Sequence, residues 1–284
     1  MIKNTLFLSS SLLFSAAGVC QNAGKLMLNK GEKYIIENKI SAVSTQEMMG
    51  QSMNSKVSFF TSNNMEVKEV KKDNYDLINT YTKLTASINA MGQDMSFDSD
   101  KKEDMDGEMG SGMKNLINQP KNVVMDKNGK IIPDTGDTTV KKPEAGMMSM
   151  MMNQVMGSPE ETGYGLSEAF MIIPNALAGF SWIDSSSTDG VKKTTTYTVT
   201  NINGTEAVVS ISGIINMDTK MEMQGTELAT KSNGKLTGEE VVDLKTGVIK
   251  QRNTTMEGSG KVEVMGQEIP TTTRMTVIGT IKRL

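Results

Sequence analysis

Short runs of alternating apolar and polar residues recur along most of the chain, separated by turns rich in glycine, asparagine and aspartate. Alternation with a period of two puts every second side chain on one face of a strand, so it predicts strands with one buried face. In the last run, Ile269, Met275, Val277 and Ile281 share one parity, whereas hydroxyl and charged residues dominate the other. We therefore expect an all-β fold with minor short helices.

One long run, residues 75–90, changes the phase of its alternation. Its apolar positions are mostly odd-numbered up to Tyr81 and even-numbered from Leu84 onward. A single change of phase predicts either a β-bulge, which we expect near Asn79, or an exchange of the buried face.

Turn residues mark the ends of the predicted strands. Turns are expected at residues 29–31, 49–51, 126–129, 203–204, 233–234 and 245–247. The triplet Met-Gly-Gln begins at Met49, Met91 and Met265, each time between strand-like runs. Either its glycine supplies the left-handed conformation of a hairpin turn, or the triplet marks a weak internal repeat with two sheets built alike.

Three short segments are predicted to be helical, namely 111–118, 144–156 and 167–172. In the first, Met113, Leu116 and Ile117 have the spacing of one helix face, and Pro120 ends it. In the second, Pro143 suits a helix start and Gly157 a helix stop.

These elements predict two antiparallel β units, each a meander or half-barrel, joined by a methionine-rich helical linker. The predicted boundaries are 1–20 for a signal peptide, 25–140 for the first β unit, 141–165 for the linker and 166–284 for the second β unit.

The first twenty residues have the layout of a secretory signal peptide. Lys3 precedes an apolar stretch at residues 6–14, and the small residues 15–18 follow it. Cys20 is the single cysteine, and it is the candidate site of lipidation. A lipoprotein would carry Cys20 as its acylated first residue, but Val19 is not the small residue that usually precedes such a cysteine, so plain cleavage is favoured.

No later segment has the roughly 20 apolar residues that a transmembrane helix needs. We therefore expect an exported protein without a transmembrane span, located in the periplasm, at the outer membrane or outside the cell, with a lipid anchor as the alternative.

Composition narrows the function classes. The 30 basic and 33 acidic residues leave no excess of positive charge, which argues against a nucleic-acid partner. The chain has no histidine, and this removes the commonest general base and the commonest zinc ligand. We expect no catalytic residues, no cofactor and no enzymatic activity.

Methionine is unusually frequent, with 25 residues, and it clusters in the predicted linker. The candidate copper ligands are Met147, Met148, Met150, Met151 and Met152. Thioethers suit Cu(I). However, Met148, Met151 and Met152 also have the spacing of an ordinary apolar helix stripe, and packing against apolar surface is the favoured interpretation.

Two further features have a functional and a structural interpretation. The acidic run 98–108 offers oxygen ligands for calcium, but its spacing fails the EF-hand pattern, so a solvated acidic loop is favoured. Trp182, the single tryptophan, could stack on a sugar or lipid, but a core anchor is the favoured interpretation.

Several segments resemble a family of exported Bacteroidota proteins known as a domain of unknown function. The matching segments are LNKGEKY around Lys30, GQDMSFDSD at 92–100, VVMDKNGKI at 123–131, Pro174 with GFSW at 179–182, and VVDLKTGVIKQ at 241–251. Asp98-Ser99 and the pair Gly179 and Trp182 match landmarks of that family. The resemblance implies a two-part antiparallel β architecture behind a signal peptide and implies no activity.

The favoured function is a non-catalytic binding or carrier module of the cell envelope for an apolar or lipid-like ligand. The alternative is a structural or interaction protein of the periplasm or outer membrane, with an envelope protein as its partner. Cu(I) binding through the methionine cluster is the less favoured third hypothesis.

Overall fold

The computed structural model describes residues 26–284 apart from residues 49, 91–92, 112, 133–164, 189, 224–225 and 265. Its strands are β1 (Lys33–Met48), β2 (Gln51–Val70), β3 (Asn74–Ala90), β4 (Gln93–Asp98), β5 (Lys121–Asp126), β6 (Ile131–Ile132), β7 (Ser181–Thr188), β8 (Val191–Asn203), β9 (Glu206–Met223), β10 (Thr226–Asp243), β11 (Ile249–Val264) and β12 (Gln267–Arg283). Two short helices, α1 (Lys102–Asp106) and α2 (Glu108–Ser111), and a 3₁₀ turn at Leu166–Glu168 accompany them. None of the helices in these ranges is long and apolar enough to cross a membrane.

All twelve strands belong to one antiparallel sheet, which confirms the all-β prediction. Its order is β6-β5-β3-β2-β1-β12-β11-β10-β9-β8-β7, and β4 pairs with β3 beside β5. The first and last strands meet in the middle, where β1 and β12 pair from Tyr34–Arg283 to Gln46–Thr271. The N-terminal half (β1–β6) and the C-terminal half (β7–β12) are thus parts of one sheet.

The alternation along the strands gives this sheet one buried face. Ile40, Phe59, Ala86 and Phe97 are cross-strand partners on β1 to β4, and all four are buried. We call the face that they share the inner face. The change of phase in β3 is a β-bulge, as predicted, but the extra residue is Thr82 rather than a residue near Asn79.

The sheet curls strongly at the end where the chain enters β1. Four strands separate β5 from β11, so in a flat sheet these two strands would lie about 24 Å apart. Yet the amide of Leu26 donates to Lys127 O in the β5–β6 turn at 3.0 Å, and the amide of Met27 donates to Thr246 O in the β10–β11 turn at 3.3 Å. Because one dipeptide bridges both turns, the inner face must be concave at this lower end.

Buried side chains fill the lower end. One cluster surrounds Leu26 and contains Leu28, Tyr34, Ile36, Met65, Val67, Tyr75, Leu77, Val123, Met125, Ile131, Leu166, Ala169 and Val248. A second cluster lies on the lower strands of the C-terminal half and contains Ile173, Val199, Ala207, Val209, Val242 and Ile249. The lower end is therefore sealed by core packing.

A third cluster fills the inner face of the N-terminal half. It contains Ile40, Phe59, Tyr81, Leu84, Ala86, Phe97, Met113 and Ile117. Met105 of α1 and Met109 of α2 pack against it, so the segment between β4 and β5 covers this half of the face.

Several predicted turns and short helices can be compared with the structure. Gly31, Gly50, Gly129, Gly204, Gly247 and Gly266 have positive φ angles in turns, as expected. The predicted helix 111–118 is wrong: residues 113–116 form turns, and Ile117 bridges to Tyr81. The predicted turn at Asn233-Gly234 is also wrong, because both residues pair with β9 and β11 in the middle of β10.

Candidate binding face

The upper part of the inner face in the C-terminal half differs from the sealed lower end. Leu236 of β10 lies between Gly213 of β9 and Met256 of β11, and Met256 lies beside Met275 of β12. Leu236, Met256 and Met275 are only partly buried. Among the described residues, Leu236 and Met256 belong to none of the three buried clusters. We call these three side chains the apolar row.

A row poor in side chains lies directly above the apolar row. It consists of Ile215, Gly234, Gly258 and Thr273, which are cross-strand partners on β9 to β12. A Cβ atom added to Gly234 would make ordinary contacts at 3.4–3.7 Å, whereas one added to Gly258 would lie 3.2 Å from Asn233 O. Because the two central positions have no side chain, the row forms a depression across the strands, which we call the glycine trench.

Lys193 of β8 stands at one end of the glycine trench. It is the cross-strand partner of Ile215, and it shares its parity with the buried Thr195 and Val199. Its side chain is partly buried, and it has no ion pair or hydrogen bond to any described residue. A cation therefore faces inward at the end of the trench.

Below the apolar row, Arg252 of β11 connects the segment before β7 to the sheet through hydrogen bonds and ion pairs. Its Nε donates to Glu240 Oε1 at 2.6 Å, and its Nη2 donates to the main-chain oxygen of Glu168 at 2.8 Å. Glu240 is buried, and its Oε2 has no hydrogen-bond partner within the described residues. Burial raises the pKa of Glu240, although the positive charges of Arg252 and Lys193 act in the opposite direction.

Three aromatic rings lie on the inner face at the β7 edge of the sheet. Trp182 of β7 stacks between Phe180, at 6.0 Å, and Tyr197 of β8, at 5.1 Å between ring centroids. Trp182 is partly buried and packs against the C-terminal core cluster. The contacts of Trp182 are thus those of a core anchor.

A second concave feature lies on the opposite, outer face near the hairpin tips. This groove has a volume of about 710 Å³ and is lined mainly by polar residues of β8 to β12. Two of its lysines are paired, Lys231 with Asp218 at 3.8 Å and Lys261 with Glu268. Lys192 also lines it. Such a groove suits a polar partner rather than an apolar ligand.

The acidic run is held by local contacts and does not converge on a point. Asp104 accepts from the amide of Asp98 at 2.8 Å, and Lys83 pairs with Asp100, while Lys114 pairs with Asp106. Within the described ranges, no three metal-ligating side chains come together. The described geometry offers no calcium loop.

The other candidate residues lie outside the described part of the chain. These are the signal peptide 1–20, the lipidation candidate Cys20 and the candidate copper ligands Met147, Met148, Met150, Met151 and Met152. The sequence analysis missed Lys193 and the glycine trench. The parity that Lys193 shares with Thr195 and Val199 was a signal for the lysine, whereas Asn233-Gly234 was mistaken for a turn.

Comparison with known proteins gives a family but no activity. The model of a family described as "Family of unknown function (DUF6263)" matches residues 72–249. No curated protein matches this chain.

Solved structures match this chain only at low similarity. Lipovitellin, in a structure of lipid–protein interactions, matches with a TM-score of 0.46 and 11% identity over 90% of this chain, which spans only 26% of the lipovitellin chain. An outer membrane channel from Pseudomonas putida F1 has a TM-score of 0.21 and 7% identity, with 91% of this chain and 98% of that one covered. The translocator domain of the autotransporter NalP from Neisseria meningitidis has a TM-score of 0.21 and 6% identity, with 90% of both chains covered. The function must therefore be argued from the residues of this chain.

Proposed function

This chain belongs to the DUF6263 family, a family of unknown function, and we propose that it is a non-catalytic binding module of the bacterial cell envelope. Its ligand is an apolar or lipid-like chain. The binding surface is the apolar row together with the glycine trench.

One observation carries the proposal, namely the contrast between the covered and the uncovered parts of a single apolar face. The lower end and the N-terminal half of the inner face are filled by their own side chains. Leu236 and Met256 remain partly exposed beside a trench whose two central positions have no side chain. Covering apolar surface contributes roughly 25 cal/mol per Å², so an apolar chain laid in the trench is stabilised by the area it removes from water.

The residue types also favour a ligand of variable shape. Methionine is flexible and polarizable, and such side chains adapt to irregular apolar partners. Met217 lies on the far side of the trench from Met256, as the cross-strand partner of Ser232 one row above Gly234. Methionines on both sides of the trench would follow the contour of an alkyl chain.

A second function is favoured by the outer groove. Its paired lysines and polar lining suit a protein or other polar partner, as expected for a structural or interaction protein of the envelope. The groove shares Met217 and Ser232 with the row above the glycine trench, but its charged residues Lys231, Lys261 and Glu268 lie on the outer face, so substitutions of these three residues test the second function separately.

Export is part of the proposal and has its own test. We expect the mature protein from its native host to start near Gln21, or at an acylated Cys20. N-terminal sequencing that finds Met1 intact would contradict export. Loss of membrane association in a Cys20→Ser variant would establish the lipid anchor.

The binding experiment uses the full-length mature protein and an apolar fluorescent probe, N-phenyl-1-naphthylamine. We expect probe uptake that oleic acid displaces, and we expect uptake to fall progressively along the series Gly234→Ala, Gly234→Val and Gly234→Leu as the trench fills. Lys235→Leu is the matched control, because Lys235 is the exposed outer-face neighbour of Gly234. Native mass spectrometry of protein from its own host would identify a copurifying ligand.

Two outcomes would overturn the binding proposal. One is the absence of probe uptake by the folded protein. The other is equal uptake by the parent, Gly234→Leu and Lys235→Leu, since binding would then lie elsewhere. Melting temperatures of all variants show whether lost uptake is due to unfolding.

A further inference from the structure

We propose that the ligand of the glycine trench is a long-chain carboxylate and that Lys193 binds its head group at the β8 end of the trench. This inference rests on the proposed function, and it adds the charge and the direction of the ligand. The inference is based on the position of one inward-facing lysine at the end of a trench that crosses four strands.

The geometry gives the ligand a length and a direction. From Lys193 on β8 through Gly234 and Gly258 to Thr273 on β12, the row crosses four strand spacings, about 19 Å. This length is that of an extended long acyl chain. The head group would lie at Lys193, beside the exposed edge strand β7, and the tail would run towards the middle of the sheet.

One cation beside the trench is not held in an ion pair. Arg252 is already held by Glu240 and Glu168, so its charge is neutralised within the protein. Asp184 of β7 also has inner-face parity, but it is exposed and forms no ion pair with Lys193. In the described upper inner face of β8 to β12, Lys193 is therefore the cation that forms no ion pair, although the charge of Glu240 acts on it at longer range.

The cost of placing Lys193 there supports the same conclusion. Lys193 is a partly buried residue, and an ammonium that loses hydration is stabilised when an anion binds it. One lysine supplies one positive charge, which matches the single charge of a carboxylate. Phosphate monoesters, with a charge of about −1.5 to −2, are more typically held by arginine clusters or helix N-termini.

The alternative for Lys193 is that its aliphatic stem covers apolar surface while its ammonium reaches water past β7. In that case the ammonium would make no contact with a ligand. The two alternatives predict different results when the charge of Lys193 is removed. If the ammonium binds the head group, a charged ligand binds more weakly than an uncharged ligand of equal apolar surface. If the ammonium only reaches water, both ligands bind equally well.

The experiment measures displacement of N-phenyl-1-naphthylamine by oleate and by oleyl alcohol, which share one hydrocarbon chain. Lys193→Met keeps the apolar stem and removes the charge, whereas Lys193→Arg keeps the charge. Lys235→Met is the matched control, because Lys235 is exposed and does not line the outer groove. We expect Lys193→Met to bind oleate about tenfold to a hundredfold more weakly than the parent and to bind oleyl alcohol as the parent does. Lys193→Arg and Lys235→Met should retain oleate binding.

A further variant sharpens the electrostatic part. Asp184→Asn removes the negative charge nearest to the proposed head-group site on β7, so it should strengthen oleate binding and leave oleyl alcohol unchanged.

The outcomes separate this inference from the proposed function. If oleate and oleyl alcohol bind equally well to the parent, or if Lys193→Met weakens both to the same extent, the head-group assignment is wrong although the trench still binds apolar chains. If neither ligand displaces the probe from the parent, the proposed function itself fails.

Discussion

In the N-terminal half of the sheet the inner face carries large side chains and a cover, whereas in the C-terminal half it carries small ones and remains partly open. Phe59 and Phe97 are 2% and 1% exposed beneath the segment that contains α1 and α2. The same row reaches Gly238 and Ile211 in the C-terminal half, and the two rows above it contain Gly213, Gly234 and the partly exposed Leu236. Strand pairing and alternation are the same in both halves, so the volume of the inward-facing side chains decides whether the face becomes a core or a groove.

The largest expected difference comes from truncating one inward-facing residue in each half. Phe59→Ala removes a fully buried ring and should lower the free energy of unfolding by about 3–5 kcal/mol. Met256→Ala removes a partly exposed side chain and should cost about 1 kcal/mol. Urea denaturation of both variants measures these values. Equal losses would contradict the division into a core half and a groove half.

A second prediction concerns Leu26, which joins the two halves at the lower end. Gly247 and Gly204 both have positive φ angles, so an alanine at either position strains the backbone by about 1–2 kcal/mol. A Cβ atom at Gly247 would also lie 2.4 Å from Leu26 Cδ2, whereas at Gly204 nothing lies within 4 Å. Gly247→Ala should therefore destabilise the protein by about 1–3 kcal/mol more than Gly204→Ala.

A double-mutant cycle checks that the extra cost arises from Leu26. In a Leu26→Ala background the excess cost of Gly247→Ala over Gly204→Ala should largely disappear. If the excess persists, Leu26 is not the residue that Gly247 accommodates.

The third prediction compares one buried carboxylate from each half, and it concerns pH. Burial by itself acts to raise the pKa of the Glu32 carboxyl. Hydrogen bonds from Asn29 and Tyr34 and the positive charge of Arg283 together have the larger effect, so the pKa of Glu32 lies below its ordinary value. Its contribution to stability is therefore present above the ordinary carboxyl pKa and lost as the pH falls through the lowered value. At Glu240 the effect of burial is larger than the opposing effect of the positive charge of Arg252. The pKa of Glu240 therefore lies above its ordinary value. The stability linked to Glu240 is therefore greatest at low pH and lost as the pH rises through the raised value.

Unfolding measured from neutral to acidic pH separates the two carboxylates. The stability of the parent relative to Glu32→Gln should shrink as the pH falls, whereas its stability relative to Glu240→Gln should grow. The same trend for both variants would refute the contrast between a fully hydrogen-bonded carboxylate and one with an unpartnered oxygen.

Local pattern predicted the strands and most turns, because period-two alternation and turn residues are properties of neighbouring positions. It placed the bulge of β3 too early because Ile78, an apolar residue on the partly buried outer side of β3, has the parity of the later run. The union of the two halves could not be predicted, since β1 and β12 come from opposite ends of the chain and pair through non-local contacts.

The candidate site was harder to predict for the same reason. Asn-Gly is a strong local turn signal, but pairing on both sides by β9 and β11 keeps Asn233 and Gly234 in a strand. The trench exists only when Gly234 and Gly258 are brought side by side by the register of β10 and β11. Lys193 could be assigned to an inner face from its parity, but its position at the end of the trench requires the register of β8 and β9.

The smallest expected effect concerns the methionines between the two halves and separates packing from metal chemistry. We expect Met148, Met151 and Met152 to pack against apolar surface, because their helical spacing puts them on one side and methionine adapts to irregular partners. Replacing all three by leucine keeps volume and apolarity but removes the thioethers. Near-isosteric substitutions usually cost less than about 1.5 kcal/mol each, so the variant should melt within a few degrees of the parent.

Cu(I) bound by the folded protein would raise the melting temperature of the parent through binding to the native state. A Cu(I)-dependent rise that the leucine variant lacks would refute packing as the sole role of these residues and would identify the linker between the two halves as a metal site.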